Sequence, residues 1–275
     1  MPGFRSALAR LFTIQAAFTY ERMLGVGFAF AAEPLLRALD AGAGRAAGAG
    51  PGAGGARDAG AGGAAGAAAA DPGPSGAPAF RAALARQAGF FNAHPYLAAL
   101  AVGAAARAEV SGEPPERVER LRFALTGPLG SLGDRLIWAG WLPACAAVGL
   151  LLVACRAGVW AVVAFLVLYN VLHVWLRVWG LRMGWRSGIG VAAALASPAL
   201  QRLLEVVAPV AAVAVGAALP SVLGWYPFAG RWEIAAGAGA ALLCAGLVRA
   251  FQGRATGLVV AAGVLAVVIG VGVLW

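Results

Sequence analysis

Two histidines stand in the chain, His94 and His173, and the first sits in FFNAHP, residues 90–95. A neutral imidazole donates from one ring nitrogen and accepts at the other, and the Asn92 amide also does both. Together they offer what a hydroxyl-bearing solute needs. Pro95 removes a backbone donor and disfavours helix at the residue before it. Carbonyls freed at such a break need partners, and in an apolar protein a broken helix usually lines a cavity where polar solutes bind. The plainer reading is a histidine satisfied inside a helix bundle, with Pro95 bending the chain.

Three other stretches hold polar groups among apolar ones. In GPLGSLGDRLIW, 127–138, Gly127, Gly130 and Gly133 allow a sharp turn or a close approach to a ligand, beside Pro128. Asp134 stands at the edge of an apolar run, where a charge marks a functional site by default; the alternative is that it caps the following helix. No GK[ST] follows, so the glycines match no phosphate loop. In FTIQAAFTYERM, 12–23, Gln15, Tyr20, Glu21 and Arg22 interrupt an apolar helix, or form the solvated face of an interfacial one. In LYNVLHVWLRVWGLRMGWR, 168–186, Asn170 and His173 share a helix face. Trp175, Trp179 and Trp185 with Arg177, Arg182 and Arg186 read as an interfacial belt. No metal-ligand spacing, nucleophile motif or carboxylate pair is present, so neither an enzyme nor a metal or cofactor is expected.

The elements that position these groups belong to a membrane protein. The chain is 61% hydrophobic and 12% charged, with a mean hydropathy of +0.79, whereas soluble domains are about 25% charged. The net charge is +9, all of the cations are arginine, and they flank apolar spans. Membrane topology explains them better than nucleic acid does. Cys145, Cys155 and Cys244 lie in apolar stretches and suggest no disulfide framework. The N-terminal run is broken by Gln15 and makes a poor signal peptide.

The expected architecture is all-α and polytopic. Residues 1–40 read as N-terminal amphipathic or re-entrant helices, and 41–79 as a Gly/Ala-rich flexible linker. Residues 80–135 form a helical region, Phe80 to Val110 and beyond, that carries the NAHP and GPLGSLGD motifs, with a polar turn over 123–138. Residues 136–275 hold about five transmembrane helices, near 136–155, 159–176, 203–223, 234–250 and 256–275. Arginines cluster before the first span, between the second and third, and between the fourth and fifth. The positive-inside rule then puts the N-terminus in the cytoplasm and the C-terminus outside.

FTIQAAFTYERM, FFNAHPYLAALAVG, ALTGPLGSLGDRLIW and LYNVLHVWLRVWGLRMGWRSG, in that order, resemble the IID membrane component of the mannose/fructose/sorbose family of the phosphoenolpyruvate:sugar phosphotransferase system. The match is good over 4–39 and 80–190 and looser in the C-terminal spans. The resemblance implies a multi-pass protein of the cell (inner) membrane, paired with a IIC subunit in a hetero-oligomer. The pair takes up a hexose for phosphorylation by cytoplasmic IIB, and phosphoryl transfer stays with IIA and IIB. It maps substrate binding onto Gln15, Asn92, His94 and Asp134, and motif architecture onto Pro95, Gly127, Pro128, Gly130 and Gly133. The alternative is a non-transporting regulatory or scaffold subunit. Arg135 stands where the family commonly has serine, and the long Gly/Ala stretch is not a usual family feature.

Overall fold

A computed structural model describes Met1, residues 3–48 and 77–222, and positions 239, 242 and 246. It is built of helices: α1 Phe4–Leu11, α2 Gly25–Gly48, α3 Ala77–Gln87, α4 Ala98–Val110, α5 Pro115–Gly133, α6 Leu142–Ala154, α7 Val159–Ser187, α8 Ala192–Leu195 and α9 Pro198–Val222. A π-helical run, Asp134–Trp141, joins α5 to α6, and a 3-10 turn, Gly188–Val191, follows α7. Two compact units divide the chain: Met1–Leu129 with Arg177–Ala194, and Gly130–Leu176 with Leu195–Trp275.

In the first unit α2 packs against α1, α3 and α4. Phe28, Leu35 and Leu36 of α2 are fully buried, as are Ala7 and Leu11 of α1. The sequence of α4, AALAVGAAARAEV, is almost all small residues and is buried nearly throughout. Small side chains let helix backbones come close, which is how helices associate where lipid removes the hydrophobic drive. The partner is the C-terminal half of α7. A Cβ added at Gly184 would collide with the Leu100 carbonyl oxygen, and one at Gly103 would lie 2.5 Å from the Leu181 carbonyl oxygen. With Gly180 one turn earlier, α7 carries a Gly-x-x-x-Gly stripe over the backbone of α4.

In the second unit α6 and the π-helical run both pack against α9. Gly140 makes room for Val207 of α9, and the Trp141 indole donates to the Leu168 carbonyl oxygen at 3.1 Å. Three helices among the described residues are long and apolar enough to cross a membrane: Pro115–Ala154, Val159–Leu195 and Pro198–Ala218. They contain the expected span at 159–176, all but the last residue of that at 136–155 and most of 203–223; apart from positions 239, 242 and 246, those at 234–250 and 256–275 lie outside the described residues. Large exposed apolar side chains such as Val153, Trp160, Val162 and Val171 are what a lipid-facing surface requires.

Several boundaries differ from the sequence reading. Residues 123–138 form no turn: helix runs from Pro115 through Pro128 into the π-helical segment. Proline inside a helix costs about 3 kcal/mol in water, but an apolar setting disfavours every non-helical alternative, because it would strip more backbone groups of partners. The helix read over 12–23 is instead a run of turns, closed by Met23 N–H donating to the Thr19 carbonyl oxygen at 2.7 Å. Met23 sits at φ 51°, which no helix tolerates. Phe80–Val110 is two helices, with the break at 88–97. Helix α2 continues to Gly48 and α3 starts at Ala77, so the rest of the stretch read as a linker lies outside the described residues.

Candidate functional site

The break between α3 and α4 is a built structure. Its first half is held by backbone pairing: Leu24 N–H donates to the Phe91 carbonyl oxygen at 2.9 Å, and Phe91 N–H to that of Arg22 at 3.3 Å. The buried Phe91 ring packs on Phe28, with centroids 4.7 Å apart.

A helix end leaves its last carbonyls without amide partners. Here buried Arg122 of α5 supplies them. Its guanidinium donates to the carbonyl oxygens of Arg86 (2.5 Å), Gln87 (3.0 Å) and Gly89 (3.0 Å). It also lies over Phe28, 5.0 Å from the ring centroid, a favourable cation–π placement. A second tie joins α3 to α4. Glu109, buried, accepts from Arg86 Nε and Nη2 at 3.1 and 2.6 Å and from the Gln87 amide at 2.8 Å. Donation to the Glu109 carboxylate holds the Arg86 guanidinium above its ordinary range, against the opposing effect of burial.

The second half of the break is the NAHP turn. His94 is buried, and its Nδ1 accepts the Tyr96 backbone N–H at 3.3 Å. The neutral ring then carries its proton on Nε2. Such a bond, from side chain to a backbone amide two residues on, is how Asn and Asp shape turns. The His94 carbonyl oxygen accepts from Leu97 and Ala98, both at 3.0 Å, which starts α4. Tyr96 stands edge-on to the imidazole at 4.9 Å.

Arg177 of α7 sits behind this turn. It is 2% exposed. Its guanidinium lies over Tyr96 at 4.5 Å and Phe12 at 4.9 Å, and its Nε donates to the Leu11 carbonyl oxygen at 3.1 Å. This corrects the interfacial-belt reading for Arg177. The fold brings α1 back over α7, so the arginine is enclosed by protein rather than placed at a headgroup. Arg182 lies over Phe4, 5.1 Å from its centroid, but is exposed.

The residues expected to meet a substrate divide by environment. His94 is enclosed; Gln15 and Asn92, in the same unit, are exposed, as are Tyr20, Glu21 and Arg22. Pro95 is half-buried in the turn. Asp134 belongs to the other unit, exposed at the start of the π-helical run, inside a continuous helix, so it caps nothing. π-Helical runs recur at functional sites. Gly127, Pro128 and Gly130 lie on α5, and a Cβ at Gly127 or Gly130 would meet nothing within 4 Å, while Gly133 is buried.

Sequence reasoning missed Arg122, Glu109 and Arg177. One signal was available: Arg177 is ringed by apolar neighbours in LHVWLRVWG, the criterion that singled out Asp134. The carbonyls that Arg122 serves are some thirty positions away, and nothing local announces them.

The family model described as "PTS system mannose/fructose/sorbose family IID component" matches residues 76–226, the stretch that holds the break, the NAHP turn, Asp134 and α4 to α9. The chain belongs to this family. Among curated IID relatives, the sorbose-specific EIID component of Klebsiella pneumoniae is 31% identical over 129 residues, 45% of this chain and 47% of that one. The mannose-specific EIID component of Escherichia coli K12 is 23% identical over 206 residues, 73% and 61% of the two chains. The fructose permease IID component of Bacillus subtilis is 29% identical over 128 residues, 45% and 46%. The chain thus spans between 46% and 61% of the length of these relatives. Its fold is similar to that of a chain in the cryo-EM structure of the mannose transporter ManYZ with microcin E492, with TM-score 0.51, 19% identity, and 97% and 94% of the chains covered. A second solved membrane protein gives TM-score 0.58 at 18% identity. The IID assignment and its long apolar helices place the protein in a membrane.

Proposed function

We propose that this IID chain is one half of a sugar permease, paired with a IIC subunit, and that the pair takes up a hexose for phosphorylation by cytoplasmic IIB. The observation that carries the reading is the tied break at 88–97, within the family-matched region. It sets exposed Asn92 on a rigid turn beside buried His94. Preorganised irregular backbone of this kind is what a membrane solute site requires.

In this reading Asn92, Gln15 and Asp134 meet sugar hydroxyls at different stages of transport. His94, Pro95, Gly127, Pro128, Gly130 and Gly133 hold the architecture. Burial and the Tyr96 bond make His94 the least accessible of the four candidates. The N-terminus faces the cytoplasm, the protein resides in the inner membrane, and IIA and IIB carry the phosphoryl group.

The test is phosphoenolpyruvate-dependent uptake of hexoses in cells that carry cognate IIA, IIB and IIC, with and without this chain. Uptake that depends on the chain supports the permease. Identical uptake of every hexose without it ends the proposal and leaves the regulatory or scaffold reading.

A further inference from the structure

A polar cleft of about 250 Å³ lies where the end of α4 and its following turn meet the end of α7 and the 3-10 turn. Arg107, Ser111, Glu113, Arg186, Ser187 and Gly190 are among its lining residues. All belong to the first unit, and none serves the break at 88–97.

The charge balance is lopsided. Glu113 is engaged by Arg117, Nη1 to Oε2 at 3.0 Å. Ion pairs among the described residues use Arg10, Arg37, Arg86 and Arg117, so Arg107 and Arg186 enter none of them. Arg107 is steadied from one side by the Trp185 indole, 5.7 Å from its centroid. Stacking uses the guanidinium's face and leaves its N–H edge for an acceptor. Gly188, at φ 50°, brings the chain to within contact of the Arg107 stem: a Cβ there would lie 3.3 Å from Arg107 Cγ. Ser187 makes no side-chain cap to the 3-10 turn, so its hydroxyl remains a second donor.

Two arginines and two serine hydroxyls around a small polar hollow match a phosphate, which offers several acceptor oxygens to forked donors. The cleft also lies along Val159–Leu195, one of the helices long enough to cross a membrane. Basic residues at the end of a membrane-crossing helix attract anionic headgroups; the cleft's other wall, α4, is not one of the helices long enough to cross.

We propose that this cleft binds a phosphate ester, the chemistry shared by an anionic lipid headgroup and a soluble phosphate. The site is independent of the sugar path and stands or falls apart from it.

The experiment is native mass spectrometry on the full chain, purified in detergent with its co-expressed membrane partners and titrated with phosphatidylglycerol. Removing both charges by Arg107→Gln with Arg186→Gln should weaken retention on the order of tenfold, while Arg120→Gln, exposed, outside the lining and bonded to the Glu116 carbonyl oxygen instead of to a lining residue, leaves it unchanged. Should the double variant misfold, Ser187→Asp keeps both arginines and repels phosphate, and it must lose retention too. Competition identifies the source. Displacement by millimolar inorganic phosphate, with a rise in melting temperature, marks a soluble ligand; retention despite phosphate marks the lipid. Equal phosphatidylglycerol retention by wild type and folded variants, with no effect of phosphate on the melt, overturns the proposal.

Discussion

Arg177 Nε donates to the Leu11 carbonyl oxygen at 3.1 Å, joining α7 to the end of α1 across 166 residues. The guanidinium also lies over the Phe12 and Tyr96 rings. Lysine keeps the charge but has no plane to stack and no fixed fork. Arg177→Lys should therefore cost about 1–3 kcal/mol, read as a lower melting temperature in detergent. A melt equal to wild type would show that this enclosed arginine contributes nothing as a tie.

Asn92 and His94 separate contact from architecture. Asn92→Ala, at an exposed position, should leave the melt unchanged and reduce sugar uptake. His94→Ala removes the acceptor for the Tyr96 amide and should cost about 1 kcal/mol, as other turn and cap deletions do. His94→Asn restores a short acceptor. Recovery of both melt and uptake in that variant assigns His94 to the turn; recovery of the melt alone assigns it a second role toward substrate.

Gly184 is the tightest point between α7 and α4. Gly184→Ala drives a methyl at the Leu100 carbonyl, and overpacking of this kind costs about 1–3 kcal/mol. Gly190→Ala meets nothing within 4 Å and serves as the control. Thermal melts of the two variants should differ by several degrees; equal melts would mean that the helices part without penalty.

Acid should loosen the junction of α1 and α2. Burial pushes the Glu33 carboxyl up, but hydrogen bonds from Arg10 and Arg37 outweigh it and hold the group below its ordinary 4.5. A carboxyl depressed in the folded state adds stability that is complete above its unfolded value and fades as pH falls through the folded one. The melting temperature should drop on acidification below about 4.5, the reference for a free glutamate. Glu33→Gln should flatten that drop, and high salt should shrink it, because Arg37 is exposed.

Gly127 gives the simplest reading of a bare helix face. It lies inside α5 with open space at its Cβ position, so Gly127→Ala alone should stabilise the helix by about 0.5–1 kcal/mol. A higher melt together with lost uptake would mark close approach by sugar or by a partner subunit.

Much of this was legible in the residues. Composition predicts the membrane class, Pro95 predicts the break, and ordered motifs predict the family. The illegible parts share a cause. Pro128 and the neighbouring glycines read as a turn because propensities describe water, and an apolar environment overrules them. FTIQAAFTYERM has helical composition, yet Leu24 and Phe91 pair across the fold, a contact no local pattern encodes. Arg122 and Arg177 looked like topology markers because their partners are carbonyl oxygens, which every residue has. Of the site, the NAHP turn was foreseen as a break, with a structural histidine as one of its two readings; the bond from the Tyr96 amide to Nδ1 had no local signal.

The pairing of residues 22–24 with Phe91 also has an evolutionary consequence. It closes the intervening chain into a loop at its base, whatever the length of the Gly/Ala tract inside. A change in the length of that tract leaves the paired residues themselves untouched. Between strains, substitutions should therefore be scarcer at residues 22–24 and at Phe91 than in the tract that separates them along the chain.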